Sequence, residues 1–280
     1  MHSLNITLRN RISKNGVFIF PVFYILWAYL FWFPIFFSKE SIWSFPKILF
    51  FFIGGSSPLL AGVILALVKD GLKGLISIGN RLINTKNISL KWMGIILSFW
   101  IIFDLVIAGI GFFIGITEQP IRIHTDTVLK PQNLAFMFVL SFIFPTIEEI
   151  GLRGYWIDEL QNRLNPFFAA LINGIFWAIW HTPFVWFPGY YINTSFYPEL
   201  WWWLPSIVLH TVLIVWIYNK TNRSILAAVL FHGIMNFTGE FLGIDSILFP
   251  YMLIGYIFIT TFIVIGTPNM RPWFKKNNRF

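Results

Sequence analysis

The chain has no cysteine. Disulfides, thiolate zinc sites and a cysteine nucleophile are therefore excluded, although the redox compartment stays open. Charge is scarce as well: 11% of residues are Asp, Glu, Lys or Arg, against about 25% in an ordinary soluble domain. There is no H-E-x-x-H, so the helix of a zincin-type metalloprotease is absent. No low-complexity tract or internal repeat stands out.

What fills the 280 residues is apolar: 57% are hydrophobic and the mean hydropathy is +0.71. Apolar runs long enough to cross a bilayer recur at 17–37, 48–68, 92–116, 167–187, 200–218, 225–242 and 249–266. A further run starts at Leu134, passes through Glu148 and continues as a helix to about Arg163. The reading is an all-α, polytopic membrane bundle of about eight transmembrane helices, forming a single integral membrane domain over 1–280. The first run is too long for a signal-peptide core and lacks a small-residue cleavage site, so it is expected to be a retained span. Gly54-Gly55-Ser56-Ser57-Pro58 should kink the second.

The net charge of +8 would suit nucleic acid, but its distribution points to membrane orientation and no nucleic-acid partner is expected. With the N-terminus inside, only Lys39, Lys47, Arg122 and Lys130 of the 20 Lys and Arg fall outside. That asymmetry predicts both termini in the cytoplasm of a multi-pass protein, here of a bacterial cell membrane. Residues 69–91 alternate basic and apolar side chains, which reads either as an amphipathic helix on the membrane surface or as a simple basic loop.

Ionisable groups inside apolar runs are expensive and mark function or pairing. Glu148 and Glu149 end the run that begins at Leu134, and Arg153 lies at i+4 of Glu149, on its face. Glu148 points about 100° away and can enter a cavity while Glu149 is held by the arginine. His181 follows Trp177 by one turn, and His232 precedes Asn236 by one turn. Asp104 can be functional or can pair with a neighbouring helix, and His210 reads as a hydrogen-bonded structural histidine. Singly, each histidine is more simply a helix contact. Together, a carboxylate and a histidine can hold and deprotonate a water, and a second histidine with an amide can donate to an oxyanion. The same Glu148, His181 and His232 can instead hold a divalent metal such as zinc.

Glu148-Glu149-x-x-x-Arg153, Trp177-x-x-x-His181 and His232-x-x-x-Asn236 resemble the three motifs of the CAAX-protease and bacteriocin-processing (CPBP, or ABI) family, which includes the type II CAAX prenyl endopeptidases. The resemblance covers 134–240, taken as the catalytic core. One departure is Trp177, where the family usually has Phe. The resemblance implies an eight-helix intramembrane endopeptidase with a cavity open to the cytoplasm. By position, Glu148 activates water with help from His181, His232 and Asn236 stabilise the oxyanion, and Glu149 and Arg153 support them. Its partners would be the lipid bilayer and a peptide or protein substrate at the cytoplasmic membrane face. A non-catalytic scaffold or bacteriocin-immunity protein and a proton-coupled carrier remain the alternatives.

Helix arithmetic leaves one mismatch. Glu148 and His232 fall about 9 and 11 Å from the inner face of a roughly 30 Å core, but His181 falls nearer 21 Å. Convergence requires the fifth span to start below the membrane, near Pro166, or to tilt strongly.

Overall fold

A computed structural model describes residues 2–123, 130–192 and 196–273, with side chains at residue 12 and from residue 14 onward. The side chains of Arg9 and Arg11, and the tail cations Lys275, Lys276 and Arg279, lie outside the described residues. Eleven helices are described: α1 (His2–Phe36), α2 (Lys47–Gly55), α3 (Ser57–Asp70), α4 (Leu72–Ile83), α5 (Leu90–Phe113), α6 (Pro131–Gly151), α7 (Ile157–Gln161), α8 (Pro166–His181), α9 (Leu200–Lys220), α10 (Ile225–Leu242) and α11 (Phe249–Gly266). No β-strand forms among the described residues, only an isolated bridge between Ile121 and Ile244.

Among the described residues, seven helices are long and apolar enough to cross a membrane, and the α2–α3 pair makes an eighth if its 40° bend is counted within one span. This is the all-α polytopic bundle expected from hydropathy. The bend falls at Ser56, inside the Gly-Gly-Ser-Ser-Pro cluster. Two carbonyls near the break are taken by indoles of α1: Trp32 Nε1 donates to Phe51 O at 3.0 Å and Trp27 Nε1 to Ile53 O at 2.9 Å. A break in an apolar environment needs such partners, because no bulk water is there to supply them.

Residues 72–83 form a helix rather than a basic loop. Gly71, at φ 64°, ends α3 and turns the chain into α4, a backbone state that glycine reaches without a Cβ clash.

Helix α9 is the most enclosed of the candidate spans, with Val212 to Val215 fully buried, and it packs against α8, α10 and α11. Helix α6 lies between α3 and α10. Two glycines set how close α3 comes: a Cβ on Gly62 would stand 2.6 Å from Gly151 Cα, and one on Gly151 would collide with the Pro58 carbonyl. This small-residue contact fixes α6 at its C-terminal end, next to Glu148 and Glu149.

Helix α6 does not stop there. A π turn, Leu152–Trp156, carries it into α7, so that the whole span Pro131–Gln161 has 31 residues. Asn165 then caps α8, its Oδ1 accepting from Phe167 N at 2.8 Å, and Pro166 occupies the first helical turn. The chain therefore folds back as an antiparallel hairpin, with α7 and α8 in contact.

Candidate active site

The hairpin removes the depth mismatch. Glu148 lies about 20 Å before the Gln161 end and Trp177 about 17 Å after the Pro166 start, so the two reach the same level from a common turn. The helical continuation past Glu148 expected from the sequence is observed, through the π turn and into α7. Helix α8 starts at Pro166.

At that level the side chains meet around one indole. Trp177 Nε1 donates to Glu148 Oε2 at 2.7 Å, and the bond is buried. The Trp177 ring meets His181 and His232 edge-on, each with centroids 5.0 Å apart and planes at 83°. The Arg153 guanidinium lies 5.6 Å from the ring centroid, within cation–π range. Glu148, on α6, His181, on α8, and His232, on α10, are thus gathered about one side chain.

The two carboxylates are treated differently. Glu149 is fully buried; its Oε1 accepts from Arg153 Nη1 at 2.9 Å and pairs with His232 Nδ1 at 3.0 Å. Arg153 is also fully buried. Glu148 takes the indole N–H on one oxygen and keeps 7% exposure. The expected division holds in geometry, with Glu149 in an ion pair and Glu148 outside it.

The histidine tautomers follow from their acceptors. His181 Nδ1 stands 2.9 Å from Trp177 O, and a carbonyl can only accept, so Nδ1 carries the proton and the neutral ring presents a lone pair at Nε2. His232 commits its Nδ1–H to the Glu149 carboxylate. It likewise presents Nε2, which can donate to an oxyanion only when the ring is an imidazolium. Asn236 is half-buried one turn beyond His232. Its amide makes no hydrogen bond among the described residues.

Residues 130–238 match the family model described as type II CAAX prenyl endopeptidase Rce1-like. This stretch is an Rce1-like segment. Across more of its length, the chain is 29% identical to CAAX prenyl protease 2 of Methanococcus maripaludis, over 81% of this chain and 83% of that protein. It is 25% identical to lysostaphin resistance protein A of Staphylococcus haemolyticus, over 59% of this chain and 46% of that protein. The namesake from Staphylococcus epidermidis is also 25% identical, over 77% of this chain and 55% of that protein. The chain spans about half the length of these two. The resemblance drawn from the three motifs is thereby shown, and it supports an intramembrane protease in an integral, multi-pass membrane protein that meets lipid and a peptide or protein.

The Rce1-like segment does not present a ready metal-binding set. Among the described residues, no three His, Asp or Glu side chains stand close enough to share an ion. Glu148 Oε2 is already held by the Trp177 N–H, and the Trp177 ring lies against both imidazoles. The donor set Glu148, His181 and His232 therefore does not fit a divalent metal in this arrangement.

Three features of the segment and its surroundings were not marked by sequence. Trp177 was visible only as the aromatic before His181. The available signal was that a buried indole N–H needs an acceptor, and Glu148 is that acceptor. Among the described residues, the Tyr24 hydroxyl of α1, outside the Rce1-like segment, is buried without a hydrogen-bond partner. Asn173, one turn before Trp177, is fully buried with both amide atoms unbonded.

Two polar residues lie outside this cluster. Asp104 is buried on α5, near the Thr238 side chain of α10. His210 packs against Trp100 at 4.8 Å and Tyr256 at 4.4 Å, but its Nε2 has no hydrogen-bond partner. The structural reading of His210 stands, with aromatic packing where hydrogen bonding was expected at that nitrogen.

Proposed function

We propose that this protein is an intramembrane endopeptidase that cleaves a membrane-associated peptide or protein with a glutamate-activated water. The observation that carries the reading is the gathering of Glu148, His181 and His232, from three helices, around Trp177.

In this mechanism a water lies between Glu148 and His181 Nε2. Glu148 takes one of its protons, and the hydroxide adds to the scissile carbonyl carbon. His232, as the imidazolium, and the Asn236 amide donate to the resulting oxyanion. Collapse breaks the C–N bond, and the proton held by Glu148 passes to the departing nitrogen. The products are a carboxylic acid and an amine, and Glu148 is returned to its starting form. Glu149 holds His232 by Nδ1 and is itself held by Arg153, so the pair fixes the orientation of the oxyanion donor.

The name of the Methanococcus relative supports a prenylated CAAX peptide as the first substrate to test. Delivery from the cytoplasmic face, in a bacterial cell membrane with both termini inside, is supported by the cation asymmetry. The test is cleavage of a farnesylated CAAX peptide by the purified protein, comparing wild type with Glu148→Gln. The amide keeps the carboxylate's shape but cannot take the proton, so cleavage should stop. Wild-type cleavage by that variant would remove the reading. The two relatives named for lysostaphin resistance favour one second reading, a membrane scaffold or immunity protein. It predicts that Glu148→Gln leaves a resistance phenotype intact.

A further inference from the structure

Helix α4 has two faces that do different things. Gly74 and Ile78 are buried against the bundle. From that side Arg81 reaches Asp158 Oδ2 at 2.9 Å, Tyr218 Oη at 2.6 Å and the Gly154 carbonyl at 2.5 Å. Gly154 belongs to the π turn and follows Arg153. The outer face is apolar and open: Leu72, Ile76 and Ile83 are 71%, 61% and 73% exposed.

Between these faces lies a shallow cavity of about 410 Å³ lined by Lys73, Ser77, Asn80, Arg81, Asn84 and Asn87, with Ile76 at its edge. Asn84 Oδ1 accepts from Lys86 N at 2.9 Å, closing the turn Thr85–Asn87 that brings Asn87 to the cavity. The lining offers the Lys73 ammonium, a hydroxyl and three amides, and no carboxylate; the Arg81 guanidinium at its wall is already committed to Asp158, Tyr218 and Gly154. Lys73 has no ion pair among the described residues. Such a set of donors suits a phosphate group, with the lysine as the point charge that attracts it.

We propose that this cavity binds the phosphate headgroup of an anionic phospholipid, with α4 lying in the membrane surface. The exposed Leu72, Ile76 and Ile83 supply the apolar contact that a lipid has and a soluble phosphate lacks. Amphipathic helices bind membranes by combining these two terms, buried apolar area and attraction to anionic headgroups. Arg81 closes the cavity on one side and ties the docked helix to the π turn on the other. The site lies outside the Rce1-like segment, and its test measures no cleavage, so it stands or falls apart from the protease reading.

The chain has no cysteine, so Ile76→Cys accepts a single environment-sensitive dye. The full-length protein would be reconstituted in phosphatidylcholine vesicles and in an equal mixture with phosphatidylglycerol. The dye should shift to the blue in the mixture, and high salt should reverse the shift, because the reach of surface attraction falls from about 10 Å at 0.1 M to about 3 Å at 1 M salt. Lys73→Gln should weaken the phosphatidylglycerol dependence about fivefold, the usual effect of one lysine near an anionic surface, and Lys73→Arg should restore it. Soluble glycerol phosphate should leave the emission unchanged. Equal emission in the two vesicles overturns the proposal, and a response to glycerol phosphate alone would make the cavity a site for a free phosphate ester. The salt titration needs no substitution at Lys73, and Ile83→Cys offers a second labelling position if Ile76→Cys does not fold.

Discussion

Trp177 Nε1 donates to Glu148 Oε2 at 2.7 Å, while the same ring stands edge-on to both His181 and His232 at 5.0 Å. One residue thereby fixes one carboxylate oxygen and leaves the other outside that bond. Trp177→Phe keeps an aromatic ring against both histidines and removes the donor. A hydrogen bond to a charged group contributes about 1.5–3 kcal/mol, so kcat should fall by roughly 10–100-fold with KM little changed. Steady-state kinetics on a cleaved peptide decide it: unaltered kcat would mean that the bond does not position Glu148.

The two carboxylates should separate folding from activity. Glu149 and Arg153 are an ion pair with both side chains fully buried, and removing one partner of such a pair costs about 3–5 kcal/mol. Arg153→Ala should lower folded yield and activity together, whereas Glu148→Gln should fold and be inactive. Size-exclusion profiles and melting temperatures of both variants give the comparison, and a fully stable, active Arg153→Ala protein would contradict it.

Asn236 is assigned an effect on turnover. Loss of one oxyanion donor typically lowers kcat by about 10²–10³-fold. Asn236→Ala should show that drop while binding an uncleavable substrate analogue normally. Equal losses in binding and turnover would instead place Asn236 in substrate recognition.

Chelation tests the metal question directly. Because Glu148, His181 and His232 do not form a shared donor set among the described residues, cleavage should survive prolonged incubation with a chelator. Loss of activity that zinc restores would show that these side chains rearrange around an ion and would revive the metal alternative.

Orientation can be read without activity. Reporter fusions at residues 5 and 278, both outside the described side chains, should both report the cytoplasm. Opposite locations would require an odd number of crossings.

The sequence by itself determined the membrane bundle, its eight apolar runs, the bend at the Gly-Gly-Ser-Ser-Pro cluster and the pairing of Glu149 with Arg153. These are local properties: hydropathy over about 20 residues, the backbone freedom of glycine and the i,i+4 spacing of a helix need no knowledge of neighbours. The three motifs also named the residues of the candidate site. Sequence could not decide how they meet. His181 looked too deep because its level was counted from an assumed membrane face and not from the turn that joins α7 and α8. Tertiary packing decided this by folding α7 and α8 into a hairpin that brings Trp177 level with Glu148. It also decided which acceptor His232 found, and therefore which nitrogen it presents, because Glu149 and His232 are 83 residues apart.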